Sequence, residues 1–168
     1  MKRVLSRVTL ALLLLANASC GAKPEAKKPA AAPQILVGLS LDTLREERWQ
    51  RDRDLFVAAC EKLGAKVLVQ AANNNDALQN SQAENLLTQG IKVLVVAPHN
   101  SESSATIVAA AHKAGVPVIA YDRLIKNCDL DLYISFDNLQ VGELQGQYAV
   151  NHQPKGNYIL VAGAPTDN

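Results

Sequence analysis

The sequence has few aromatic residues, few cysteines and almost no net charge. Of its 168 residues, 4% are aromatic and three are cysteine, and 17 Lys+Arg are balanced by 16 Asp+Glu to leave a formal charge of +1. Three cysteines are too few for a disulfide scaffold, so Cys60 and Cys128 are either free thiols or one isolated pair. A near-neutral chain without a basic cluster lacks the positive surface that binds nucleic-acid phosphates. Because 48% of the residues are hydrophobic, the chain can still build a folded core.

Common catalytic and cofactor motifs are also missing. No G-x-G-x-x-G follows an apolar run, and the sequence contains neither a P-loop nor a G-x-S-x-G nucleophile elbow. His99, His112 and His152 do not have the spacing of a metal site. The acid cluster that a phospho-receiver requires is reduced to Asp42. An enzyme is therefore not indicated, and we expect neither a cofactor nor a metal.

The first 33 residues differ from the rest of the chain. Three basic residues within the first seven precede a mainly apolar run at residues 8–16. This order is typical of a secretory signal, and the run is shorter than the roughly 20 residues that span a bilayer. We predict a signal peptide over residues 1–19, followed over residues 20–33 by a flexible tether rich in Ala, Pro and Lys.

Two maturation sites remain open. Ala-Asn-Ala at residues 16–18 fits ordinary cleavage before Ser19, which would release a soluble periplasmic protein. The segment that ends at Cys20 resembles a bacterial lipobox, in which the cysteine receives lipid. The sequence thus predicts export, either to the periplasm or to the outer face of the cell membrane with Cys20 as the possible lipid attachment site.

From residue 34 onward, short apolar runs alternate with longer amphipathic segments. The predicted strands are residues 35–39, 67–69, 93–96, 116–120, 133–136 and 158–161, and the predicted helices are residues 45–63, 76–89, 101–114 and 139–152. Continuous apolar runs are typical of strands that are buried on both faces. The alternation predicts an α/β fold with a doubly wound parallel sheet. Ligands bind such sheets at the carboxyl ends of the strands.

Planar hydrogen-bonding side chains follow several of these strands. Arg48 and Trp49 come after the first strand, and Asp122 and Arg123 come after the fourth. Carboxylates and guanidinium groups offer paired acceptors and donors, which suit the adjacent hydroxyls of a sugar. A tryptophan offers a flat apolar face for the C–H side of a pyranose ring.

The same residues also have structural interpretations. Asp122 and Arg123 could form an ordinary surface ion pair or cap a loop. Trp49 lies on the apolar stripe of the first predicted helix, where it could simply pack in the core. The asparagines at residues 73–75 are typical of turns and helix caps. Residue types alone do not decide between these interpretations.

Several stretches resemble the type I periplasmic sugar-binding proteins of ABC importers, and most closely the D-xylose-binding group. The matching stretches are residues 44–54, 121–125, 133–138, 141–145, 156–158 and 165–168. Asp-Arg after the fourth strand is shared among pentose and hexose binders, whereas Arg-Trp at the first helix and Tyr-Ile-Ser-Phe-Asp-Asn at residues 133–138 favour xylose. The resemblance covers about residues 35–168.

The resemblance implies a role for each matching polar residue. Arg48 would hydrogen-bond sugar hydroxyls, and Trp49 would stack on the sugar ring. Asp122 and Arg123 would bind adjacent hydroxyls as an acceptor–donor pair. Two further contacts would come from an opposite lobe: Asp167 and Asn168.

The resemblance also implies a domain arrangement. Residues 34–136 would form an N-terminal sugar-binding lobe, and residues 137–168 the hinge crossover and the truncated start of a second lobe. Members of this family are much longer than this chain, so we expect a fragment of a complete binding protein.

The function implied is that of a monomeric solute-binding protein. It would capture D-xylose or a related aldose by hinge closure and deliver it to an ABC permease in the inner membrane. The alternative is a sugar-sensing protein of the same fold that signals to a membrane histidine kinase or chemoreceptor.

Overall fold

A five-stranded parallel sheet organises the described part of the chain, which is residues 34–163 of the computed structural model. The strands are β1 (Ile35–Leu41), β2 (Ala65–Ala71), β3 (Val93–Ala97), β4 (Val118–Tyr121) and β5 (Leu132–Ile134), and the helices are α1 (Glu47–Lys62), α2 (Asp76–Thr88), α3 (Ala105–Lys113) and α4 (Asn138–His152). All neighbouring strands are parallel. The predicted α/β fold with a doubly wound parallel sheet is therefore confirmed.

The strand order β2-β1-β3-β4-β5 places a switch of direction next to β1. The chain moves from β1 outward to β2, then returns past β1 to β3 and continues to the other edge. The loops that leave β1 and β3 consequently diverge, and the crevice between them is where parallel sheets bind ligands.

The two faces of the sheet bury separate apolar clusters. Alternate residues of β3 point to opposite faces: Leu94 and Val96 pack with residues of α2 and α3, whereas Val95 packs with Leu39 and Trp49 on the α1 side. Burial on both faces explains why β3 reads as a continuous apolar run in the sequence.

Two glycines are needed by the local geometry. A Cβ on Gly38 of β1 would lie 2.7 Å from Ile91 Cδ1, so a larger residue there would force the buried Ile91 side chain to shift. Gly64 follows α1 with φ of 80°, a left-handed conformation that glycine adopts without strain and that ends the helix.

The structure corrects the prediction of a sixth strand over residues 158–161. This segment has no strand conformation, and Ile159 and Leu160 are almost fully exposed. Among residues 34–163 it has no neighbouring strand to supply ladder hydrogen bonds, and an apolar run without a partner does not form a strand alone. The α4 helix forms as predicted, but its apolar side chains, such as Leu144 and Tyr148, are exposed.

The third predicted helix begins later than expected. Residues 101–104 form turns, because the Asn100 side-chain oxygen accepts hydrogen bonds from the backbone N–H groups of Glu102 and Ser103, at 2.9 and 3.1 Å. The helix α3 starts only at Ala105. Within the described range, no helix combines the length and the apolar character that crossing a membrane requires.

Several sequence predictions lie outside the described residues. They are the signal peptide over residues 1–19, the tether over residues 20–33, the possible lipid attachment at Cys20, and the two sugar contacts expected at Asp167 and Asn168.

Candidate functional site

Four predicted site residues lie together at the carboxyl ends of the strands. Arg48 and Trp49 are in the first turn of α1, and Asp122 and Arg123 follow β4 directly. The Arg48 guanidinium donates a hydrogen bond to the Asp122 carboxylate across this edge. The guanidinium carbons of Arg48 and Arg123 lie 4.7 and 5.6 Å from the centre of the Trp49 ring. The fold therefore gathers side chains that are more than 70 residues apart in the chain.

The backbone at Asp122 adopts a left-handed conformation, with φ of 66°. Its N–H donates to the Ile134 carbonyl at 2.8 Å, and its own carbonyl accepts from Ser135 Oγ at 2.7 Å and from Tyr133 Oη at 3.2 Å. A non-glycine residue keeps this conformation only where its surroundings fix it, and such residues cluster at ligand sites. The contacts hold the Asp122 carboxylate at the edge of the sheet.

The Arg48 side chain is half-exposed and carries two acidic neighbours. Besides Asp122, its Nε lies 3.5 Å from Asp52. The hydrogen bond to Asp122 raises the pKa of the Arg48 guanidinium, against the opposing effect of burial. Because the Arg48 side chain is 47% exposed, its guanidinium can separate from Asp122 when another group offers hydrogen bonds to that carboxylate.

Trp49 packs in the core, and its ring also lies against the guanidinium groups of Arg48 and Arg123. Its side chain is 5% exposed and packs with Leu39 and Leu41, with an edge-to-face contact to Tyr121 at 6.5 Å between ring centres. A sugar can stack on this ring only if a guanidinium that covers its face moves aside. Arg48 is able to do so, because 47% of its side chain is exposed.

Tyr121, which contacts the Trp49 ring, is held in place by a hydrogen bond. Its hydroxyl donates to Asp52 at 2.9 Å. Burial, followed by the hydrogen bond to Asp52, raises the pKa of Tyr121, so the phenol stays protonated and remains a donor. This bond links the end of β4 to the helix that carries Arg48 and Trp49.

Sequence analysis missed Asp42 as a site residue. It follows β1 at the switch point, and its side chain is 5% exposed. One carboxylate oxygen accepts from Arg123 Nη1 at 2.8 Å, and the other lies 2.9 Å from His99 Nδ1. Arg123 Nη1 also donates to the Pro98 carbonyl at 3.2 Å. Its place directly after a buried strand was the signal that could have identified Asp42.

A buried glutamine holds the crevice together. Gln79 of α2 is 1% exposed, and its amide nitrogen donates to the Ala97 carbonyl at 3.0 Å and to Ser40 Oγ at 3.3 Å. Its amide oxygen accepts from the His99 backbone N–H at 2.9 Å. One side chain thereby joins α2 to the ends of β1 and β3.

The asparagine run at residues 73–75 forms a turn and a helix cap, as the structural interpretation predicts. Asn73 and Asn74 have φ of 52° and 62°. The Asn75 side chain accepts from the Leu78 backbone N–H at 2.9 Å and caps α2. The Asn74 N–H donates to the Asp42 carbonyl at 3.2 Å, so this turn supports the site indirectly.

A separate cavity of about 300 Å³ lies between α1 and the sheet. Its lining is mainly apolar and includes Leu39, Leu55, Phe56 and Val95. The polar residues of its lining already have partners: Tyr121 donates to Asp52, and Arg53 donates to Asp54. The carboxyl ends of the strands, where two Arg–Asp contacts adjoin Trp49, are therefore the better candidate site. Cys60 and Cys128 are free thiols, and burial raises the pKa of both.

Comparison with known proteins identifies the family. The family model described as the periplasmic binding protein domain matches residues 37–168. The chain belongs to this family. A match of this extent covers every described strand and helix of the fold except the first two residues of β1.

Two curated members of the periplasmic binding protein family are close relatives. The D-xylose-binding periplasmic protein of Haemophilus influenzae is 54% identical over 134 residues, which are 80% of this chain and 40% of that protein. The D-xylose-binding periplasmic protein of Escherichia coli is 47% identical over 156 residues, or 93% of this chain and 44% of that protein. The chain therefore spans less than half the length of these relatives.

A solved member of the family has the same fold. It is a carbohydrate transporter solute binding protein from Chloroflexus aurantiacus in complex with D-glucose, 40% identical, with a TM-score of 0.74. The match covers 81% of this chain and 41% of that one. The resemblance inferred from residues 44–54 and 121–125 is thus confirmed at the level of the family.

Proposed function

We propose that the chain forms one side of the cleft of a periplasmic binding protein that captures D-xylose or a related aldose. The observation that carries this proposal is the pair of Arg–Asp contacts, Arg48 with Asp122 and Arg123 with Asp42, beside the Trp49 ring. Two cations and two anions at one edge supply the donors and acceptors that ring hydroxyls need. The names of the two D-xylose-binding relatives support the choice of sugar.

The mechanism is an exchange of hydrogen bonds. A sugar hydroxyl can donate to Asp122 while a neighbouring hydroxyl accepts from Arg48 or Arg123. The Arg48–Asp122 pair is the part of the site that opens, since it is the more exposed pair. Its displacement also uncovers the Trp49 ring for stacking.

The remainder of the cleft is proposed from the family resemblance. Residues 34–136 act as one lobe, and residues 137–168 contain the crossover and the start of the second lobe, from which Asp167 and Asn168 reach the sugar. Contacts from both lobes stabilise the closed form, and a permease recognises its surface. The protein acts as a monomer, and no catalytic step is required.

Export brings the protein to its sugar. The signal peptide over residues 1–19 directs it to the periplasm, where it is either soluble or attached to the membrane by lipid on Cys20. Relatives named as periplasmic support this location.

Transport is favoured over sensing. A sensor that signals to a histidine kinase or chemoreceptor would use the same sugar contacts. The solved relative, however, is described as a solute binding protein of a carbohydrate transporter, which supports delivery to an ABC permease.

The test is isothermal titration calorimetry on the complete gene product. D-xylose, D-ribose, L-arabinose and D-glucose are titrated separately at one buffer and temperature. We expect saturable heat with at least D-xylose, at the tightest affinity of the four. Absence of heat with every aldose would refute the proposed function, and tighter binding of another sugar would correct the ligand.

A further inference from the structure

We propose that His99 is a positioning residue that orients Arg123 for sugar binding by holding the carboxylate of Asp42. This inference rests on the proposed function only for its effect on sugar affinity. The positioning itself is a property of the chain without sugar.

The two oxygens of Asp42 have different partners. Oδ2 accepts from Arg123 Nη1 at 2.8 Å, and Oδ1 lies 2.9 Å from His99 Nδ1. If nothing held Oδ1, the carboxylate could rotate and offer Arg123 a different geometry. The histidine is therefore placed to fix the plane in which the guanidinium is held.

Two buried polar atoms point to this role. Asp42 Oδ1 and His99 Nδ1 are both buried, and neither has an aligned hydrogen-bond partner. A carboxylate oxygen accepts only, so at 2.9 Å the compatible state is a proton on Nδ1. A hydrogen bond between these two atoms would satisfy both at once.

The backbone of the histidine is held by α2, because its N–H donates to the side-chain oxygen of the buried Gln79 at 2.9 Å. Its Nε2 lies 3.5 Å from Asp76, which is longer than a normal hydrogen bond. The other oxygen of Asp76 accepts from Ser103 Oγ at 3.1 Å. The chain of contacts from α2 through His99 and Asp42 thus ends on Arg123, in the crevice at the switch point.

A second histidine provides a matched control. His112 Nε2 lies 2.8 Å from Asp131, and its side chain has the same 35% exposure as that of His99. It lies near the start of β4, at the opposite end of the sheet from the site. Replacing either histidine by alanine removes a His–Asp contact. Only the replacement of His99 removes one that adjoins Arg123, so a difference between the two variants reports on Arg123.

The experiment compares His99→Ala, His99→Asn and His112→Ala in the complete gene product. Calorimetry with D-xylose measures affinity, and NMR follows the side-chain N–H signals of Arg123 without sugar. We expect about tenfold weaker binding for His99→Ala, which is near the lower end of what one hydrogen bond to a charged group contributes, because the histidine acts on the sugar only through Arg123. In the wild type the guanidinium N–H groups of Arg123 should give separate NMR signals, because the group is held in one orientation. In His99→Ala these signals should merge, because the guanidinium is free to rotate. His112→Ala should match the wild type in both measurements.

Two further results separate positioning from general stabilisation. His99→Asn should restore most of the affinity, because its amide can donate to Asp42 at the place of Nδ1. When Asp42→Ala is already present, adding His99→Ala should cause no further loss of D-xylose affinity. Unchanged Arg123 signals in His99→Ala, or a full tenfold loss in the Asp42→Ala background, would overturn the proposal. If the wild type bound no aldose, the proposed function would fail, and the NMR comparison alone would decide the positioning.

Discussion

Arg48 and Arg123 should respond differently to removal, although both belong to the proposed sugar site. Arg123 is 23% exposed and neutralises Asp42, which is 5% exposed. Arg48 is 47% exposed, and its partner Asp122 is 14% exposed. The perturbations are Arg123→Ala and Arg48→Ala, each compared with the wild type.

The difference in burial sets the magnitudes. Arg123→Ala leaves a buried carboxylate without its cation, which costs about 3–5 kcal/mol for a fully buried pair. Since Arg123 is partly solvated and His99 lies on the other oxygen of Asp42, we expect about 2–3 kcal/mol here. Arg48→Ala removes the pair whose cation is half-exposed, so the free energy of unfolding should fall by only about 1 kcal/mol.

Urea denaturation followed by circular dichroism measures these free energies, and D-xylose calorimetry measures affinity. Both variants should bind sugar more weakly, by about 1.5–3 kcal/mol for a lost hydrogen bond to a charged group. Adding Asp42→Asn to Arg123→Ala should recover part of the lost stability, because the unpaired charge is gone. Equal stability losses for the two arginine variants, or no recovery in the double variant, would refute the reasoning.

Three further predictions concern packing, acid stability and thiol reactivity. Gly38→Ala should lower the free energy of unfolding by about 1–3 kcal/mol, because the new Cβ meets Ile91 Cδ1; urea denaturation measures this. The hydrogen bond from the Val118 backbone N–H lowers the pKa of Asp131 in the folded protein. The ionised carboxylate therefore stabilises the fold above the pKa of Asp131 in the unfolded chain, and this stabilisation is lost as pH falls through its pKa in the folded protein. In a plot of Tm against pH, Asp131→Asn should show a shallower fall at acid pH than the wild type. Burial raises the pKa of Cys60, so its reaction with iodoacetamide should be slower than that of a free thiol in peptide form.

Each of these predictions has its own control or contradiction. Gly142→Ala is the matched control for Gly38→Ala, since nothing lies within 4 Å of the added Cβ, and an equal loss at both positions would contradict the packing argument. Acid limbs of identical slope would contradict the role of Asp131. Alkylation of Cys60 at the peptide rate would show that its thiol is not protected by burial.

The sequence was sufficient to predict the elements that are buried on both faces. The strand β3 is apolar at every position because α1 lies on one side and α2 and α3 on the other, so its pattern needed no tertiary information. The apolar run at residues 158–161 has the same composition, yet it is exposed and irregular in the described structure. Composition indicates that a segment can form a strand, whereas pairing depends on a neighbour that local sequence does not reveal.

The candidate site was predictable in its residue types but not in its pairings. Asp122 and Arg123 are adjacent in the chain and suggested one acceptor–donor pair. The structure instead joins Asp122 to Arg48 and Arg123 to Asp42, because the left-handed backbone at Asp122 turns the two side chains toward different elements. Contacts across more than 70 residues depend on the strand order, which residue spacing does not contain.

A crystal structure of the complete gene product with D-xylose tests the central claim most directly. The account predicts sugar at the carboxyl ends of β1, β3 and β4, with hydroxyls on Asp122 and Arg123, the Arg48 side chain moved from its present contact, and the Trp49 ring against the sugar. D-xylose bound in the apolar cavity beside α1, or at any place away from these four residues, would contradict it.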